Sequence, residues 1–93
     1  ERFDTLDSGI NRLIDYTNIA FEEGWIEEEI TVKKFINEYK EMRNLFESRI
    51  HTEMKKRKIV NFLKKVEKDK SLLPEAFALI YYNAEELLKI LDK

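Results

Sequence analysis

The sequence predicts an all-α fold, a small antiparallel bundle of four helices at about 5–23, 31–50, 53–69 and 72–92. Three observations carry that prediction. Apolar residues recur every three or four positions along most of the chain, which is the period of one helix face. Two glycines and one proline in 93 residues leave too few turn formers for a mostly-β domain. A composition of 43% apolar and 39% charged residues is too apolar for a disordered chain and too charged for a membrane protein.

The first helix is read from Phe3, Leu6, Ile10, Leu13, Ile14, Thr17 and Phe21. Asp4 or Ser8 is the expected cap, because a side-chain oxygen there can accept an orphan backbone N–H. Gly24 is the expected stop, since glycine takes the left-handed conformation at least cost. Trp25 and Ile26 are expected to fold back onto the last turn.

The second helix carries the stripe Val32, Phe35, Ile36, Tyr39, Met42, Phe46 and Ile50, with Thr31 as cap or a start nearer Glu27. The third stripe, Ile59, Val60, Leu63 and Val66, would lie nearly opposite the second on one continuous rod. Two explanations fit: one helix of nearly forty residues that presents different faces to different neighbours, or a turn near His51–Thr52 with Thr52 as cap. The turn is the one expected, since so small a globule has little to cover a long rod, although neither Gly nor Pro marks it. The last helix reads Leu73, Ala76, Phe77, Ile80, Ala84, Leu87, Leu88 and Leu91, with Ser71 as cap. Pro74 is tolerated in the first turn, where its missing N–H does no harm.

A chain of 93 residues makes one domain, which buries roughly 60–65% of the surface its unfolded form exposes. Such a core leaves room for a partner or a second copy to add stability. The opening at Glu1 without an initiator Met is what is expected either of a trimmed chain or of a domain cut from a longer one. The absence of cysteine excludes disulfides, thiolate metal sites and cysteine nucleophiles from this chain, and fits a reducing, cytoplasmic location. No signal peptide is visible and no apolar run approaches the ~20 residues of a spanning helix, so no membrane partner is expected.

The net charge of −2 hides a division: residues 1–48 carry −6 and residues 49–70 carry +6. The bland reading of the basic run is a solvated face turned toward the acidic first half across the bundle. The functional reading is a footprint for phosphate backbone or another polyanion, carried by Lys55, Lys56, Arg57, Lys58, Lys64, Lys65 and Lys68. A sequence pI of about 5.5 favours the bland reading, because dedicated nucleic-acid domains usually exceed ~9.

Several large residues miss their own stripes. Leu79, Tyr82 and Ile90 project away from the seam of the last helix, Ile19 opposes the stripe of the first, and Phe62 is off-line on the third. Contact with two neighbouring helices widens a buried arc and can account for Phe62, for Tyr16 at the margin of the first stripe, and for Tyr82. It accounts less well for Ile19, Leu79 and Ile90. A contiguous exposed patch at those positions would mark an interface.

Catalytic chemistry is thinly supplied. With His51 as the single histidine, a His-based zinc site, a di-iron bundle and a Ser–His–Asp triad are all poorly supported. The residues after it, Thr52-Glu53-Met54-Lys55, do not follow the His-x-x-Lys-Gly pattern of histidine phosphotransfer domains. Glu22, Glu23, Glu27, Glu28 and Glu29 are explained by helix ends and solubility before a cation site, and no cofactor is expected.

The expected function is accordingly non-catalytic: a helical interaction module that binds another protein or a second copy through Leu79, Tyr82, Ile90 and Ile19. The alternative is a nucleic-acid-binding accessory domain using residues 49–70. In size, acidity and helical class the chain is also similar to small toxin-neutralising immunity proteins, without a shared motif.

Overall fold

Helical periodicity and short polar breaks produce four helices among the described residues: α1 (Leu6–Glu22), α2 (Glu29–Glu47), α3 (Thr52–Lys68) and α4 (Pro74–Leu91). The structure, a computed structural model, describes residues 5–92. The sequence boundaries stand within about three residues at every end. Cross-helix pairs show that neighbours in sequence run antiparallel: Thr17 and Asn11 of α1 bond Tyr39 and Arg43 of α2, Lys65 and Lys58 of α3 bond Glu38 and Glu41 of α2, and Lys56 near the start of α3 pairs with Asp92 after α4. The bundle closes where α4 packs on α1.

The core holds Ile10, Leu13, Val32, Phe35, Tyr39, Met42, Ile59, Leu63, Val66, Ile80 and Leu87, together with Ala20, Ala76 and Ala84. Phe62 joins them at 0% exposure, while Val60, which the spacing placed in the core, is 37% exposed. The Phe62 ring meets those of Phe35 and Tyr39 edge to face at 5.5 and 5.2 Å. Rings this large hold α2 and α3 apart, and the buried arc of α3 rotates toward α2 to take Phe62 instead of Val60. Three other stripe residues also reach solvent: Phe21 at 37%, Ile50 beyond the end of α2 at 38%, and Leu73 at 39%.

Burial pushes the Tyr39 hydroxyl well above its ordinary range, and the 2.8 Å hydrogen bond with Thr17 offsets only part of that rise. The group stays neutral and joins α1 to α2 without exposing a charge to the core.

The caps differ from the sequence expectation. Thr5 accepts the Ser8 N–H at the start of α1, so Ser8 is the donor and not the cap. The Asp4 alternative lies outside the described residues. Glu28, His51 and Leu73 occupy the N-cap positions of α2, α3 and α4 without side-chain cap bonds. Thr31 and Ser71 do other work: their hydroxyls meet at 3.1 Å, and Ser71 also donates to Asp69, which ties the start of α2 to the α3–α4 connection. Thr52 begins α3 one position after the cap, and Pro74 sits in the first turn of α4 as expected.

Gly24 ends α1 with φ +79°, the left-handed value that disfavours a side chain. Its N–H donates to the Phe21 carbonyl and the Trp25 N–H to the Ala20 carbonyl, the two-bond pattern of a Schellman motif. The chain then pairs with the α3–α4 connection across an Ile26–Leu72 bridge, with Leu73 N–H donating to the Trp25 carbonyl at 2.8 Å. Trp25 is therefore fixed on both sides at the end of the bundle where α4 begins.

Among the described residues no helix is long and apolar enough to cross a membrane.

Candidate functional site

On α4, Ala76, Ile80, Ala84 and Leu87 face the core. Leu79 and Tyr82 lie outside that stripe. The structure brings these two together with Trp25: an open groove of about 370 Å³ is lined by Trp25, Glu75, Ala78, Leu79, Tyr82 and Asn83. Tyr82 is 65% exposed, the largest exposure of any bulky apolar or aromatic side chain described. Its ring stands edge-on to Tyr81 at 6.1 Å, and Tyr81 stacks on Phe77 at 5.0 Å. The Asn83 amide donates to the Leu79 carbonyl, so its polar head is already engaged within α4. The groove thus offers two aromatic rings and a leucine, with one carboxylate, Glu75, at its edge.

The other two sequence candidates fall elsewhere. Ile90 is partly buried and packs against the core, so it supports the fold rather than the groove. Ile19 is 44% exposed but does not line the groove. Sequence reasoning did not select Trp25. The signal was present, because a large residue directly after a helix-ending glycine is placed by the Schellman turn. Which surface it would meet depends on the distant Leu72–Leu73 segment.

The basic run is divided by its neighbours. Lys58 reaches Glu38 and Glu41, each at 2.9 Å, and Lys65 reaches Glu38 at 2.6 Å. Lys56 pairs with Asp92 and Glu53. Burial alone would raise the Glu38 carboxyl, but hydrogen bonds and charge from Lys65 and Lys58 outweigh it and hold the group below its ordinary 4.5. Burial likewise opposes the charge on Lys58, and the two glutamates overcome it and raise its pKa. Lys56 is raised chiefly by its hydrogen bond to Asp92.

Lys55, Arg57, Lys64 and Lys68 have no ion-pair partner among the described residues. Arg57, Lys64 and Lys68 are exposed and recur at helical spacing with Asn61 between them. Phe62, the aromatic next to this row in sequence, is wholly buried and offers no ring to a nucleic-acid base.

A larger cleft, about 580 Å³, lies between α2 and α3 and is lined by Lys34, Phe35, Asn37, Glu38, Lys65, Lys68 and Asp69. Its acids are engaged internally, Glu38 with two lysines and Asp69 with Ser71. The exposed glutamates at 22–29 are not gathered into a metal cage: no group of three His, Asp or Glu side chains among the described residues could hold a metal ion. His51 is an exposed residue of the α2–α3 turn.

Comparison of the chain with protein-family models, with curated proteins and with solved structures finds no match, so the groove beside Trp25 is read from its own geometry alone.

Proposed function

We propose that this chain is a non-catalytic interaction module that docks a protein surface through the outer face of α4 and Trp25. One observation carries the reading: a ring as large as Tyr82 stands 65% exposed beside Trp25 and Leu79 in a single apolar groove. Scattered apolar residues are ordinary on protein surfaces, but a contiguous patch is not. Tyrosine and tryptophan add large contact area with few rotatable bonds, and they dominate the energetics of many interfaces. The test places a photo-crosslinking amino acid at position 82 and, separately, at position 61 on the outer face of α3. A discrete protein adduct at 82 that is lost with Trp25→Ala supports the proposal. Equal labelling at both positions, or none at 82, overturns it.

A second reading is supported by the outer row Arg57, Lys64 and Lys68, whose charges no acid of the described chain neutralises. These would contact a polyanion without reading sequence, since the neighbouring Phe62 is unavailable for stacking. The measurement is fluorescence anisotropy of labelled single- and double-stranded oligonucleotides across a salt series. Binding that weakens with salt and disappears in the triple variant Arg57→Glu, Lys64→Glu, Lys68→Glu supports it; no binding at low salt removes it.

A further inference from the structure

We infer that the protein surface taken up by α4 is α4 of a second copy of this chain, laid antiparallel across a two-fold axis at Tyr82. This rests on the docking reading above and names its occupant. Glu75, Tyr82 and Lys89 are spaced by seven residues, so they follow one another along a single outward stripe of α4. All three are exposed, Tyr82 at 65% and the Lys89 side chain at 71%. Glu75 and Lys89 stand equally far from Tyr82 on opposite sides. A two-fold axis through Tyr82 therefore sets each Glu75 against Lys89 of the other copy, and it does so twice.

Charge also selects the direction. A parallel pairing in the same register would oppose Glu75 to Glu75 and Lys89 to Lys89, both repulsive. Only the antiparallel arrangement satisfies both ends. Ala78 lies one turn from Tyr82 on the same face, and a residue that small lets two helices approach to roughly 8–10 Å.

The groove gains its missing part in this arrangement. Glu75 lines the groove, so Lys89 of the second copy would bring its ammonium to that carboxylate while its methylenes cover the apolar surface of Leu79 and Trp25. Within its own chain Lys89 already sits 3.2 Å from Glu86. That pair is exposed and weak, and it leaves the ammonium able to bridge two carboxylates. One helix face per copy is small against the ~800 Å² per partner of a standard interface, so the pairing is a reversible one.

The experiment is sedimentation of the purified chain over a concentration series reaching the millimolar range, on wild type, Glu75→Lys, Lys89→Glu and an equimolar mixture of the two variants. Circular dichroism and melting establish that each variant is folded. The wild type is expected to dimerise. Each single variant, now like-charged at both ends, is expected to associate roughly tenfold or more weakly. The mixture is expected to recover the wild-type affinity, because both pairs become complementary between unlike chains. Single variants that dimerise as well as wild type overturn the antiparallel register. A wild type that stays monomeric throughout overturns self-pairing, and a hetero-protein adduct at position 82 then still stands as the result for docking itself.

Discussion

Between α2 and α3 the rings of Phe35, Tyr39 and Phe62 interlock away from water; on the outer face of α4 the ring of Tyr82 stands in water beside Trp25. Both regions carry aromatic side chains outside the main apolar stripe of a helix. The difference lies in what stands opposite. Phe62 leans toward a neighbouring helix that is held wide enough to admit a ring, and that space is filled from both sides. Tyr82 leans past the edge of the bundle, where the described chain supplies Trp25 and no further helix. The polar fringes differ in the same way. Lysines beside the aromatic seam are tied to Glu38 and Glu41 within the chain, whereas no cation among the described residues pairs with Glu75 at the groove. A seam that satisfies its own charges contributes to stability; a face that leaves them open can contribute to recognition.

Phe62→Ala should break the internal seam outright. Removing a fully buried ring and leaving a cavity costs about 3–5 kcal/mol, read as a lower urea midpoint at an unchanged slope. A loss below 1 kcal/mol would mean that the seam can collapse.

Gly24→Ala should reach both regions through the backbone. No heavy atom lies within 4 Å of an added Cβ, so the cost of about 1–2 kcal/mol comes from the left-handed φ alone. A red shift of Trp25 fluorescence should accompany it, because the Schellman turn fixes that indole.

Glu38→Gln should cost under about 1 kcal/mol at neutral pH, since its lysine partners are partly solvated. Its signature is in acid. Because the folded carboxyl titrates below 4.5, wild type holds this stabilisation above that pH and loses it as the pH falls through the folded value. The difference between wild-type and variant unfolding midpoints should therefore be constant at neutral pH and shrink in acid. A difference that does not change would show that the pair adds nothing.

Tyr82→Ala should change fold stability least, within about 0.5 kcal/mol, because the side chain is mostly solvated already. Set beside Phe62→Ala, this measures the contrast directly. A large loss of stability for Tyr82→Ala would place that ring in the fold rather than in recognition.

Helix number, order and approximate limits were legible because they depend on local rules. The period of three and four marks which segments coil, Gly24 marks where one must stop, and Pro74 marks where another can start. The turn near His51 was only half legible, since the apolar face changes sides there without a breaker and one long helix with two buried faces would show the same pattern. Caps were less legible. Thr31 and Ser71 look like caps in sequence but bond to each other across forty residues, and a non-local partner outcompeted the local role.

Which off-stripe residues are buried depends on how the helices pack against one another. Val60 and Phe62 exchange roles because the width of the α2–α3 seam is set by rings on two helices at once. Ile90 packs on the core while Tyr82 does not, although both lie off the Leu73–Leu91 seam. Trp25 reaches Leu79 and Tyr82 only because the Ile26–Leu72 bridge closes one end of the bundle. The helices and their inward faces follow from local sequence, because a helix is specified by residues within four positions of one another. A surface groove is specified by segments fifty residues apart, and no local pattern encodes their meeting.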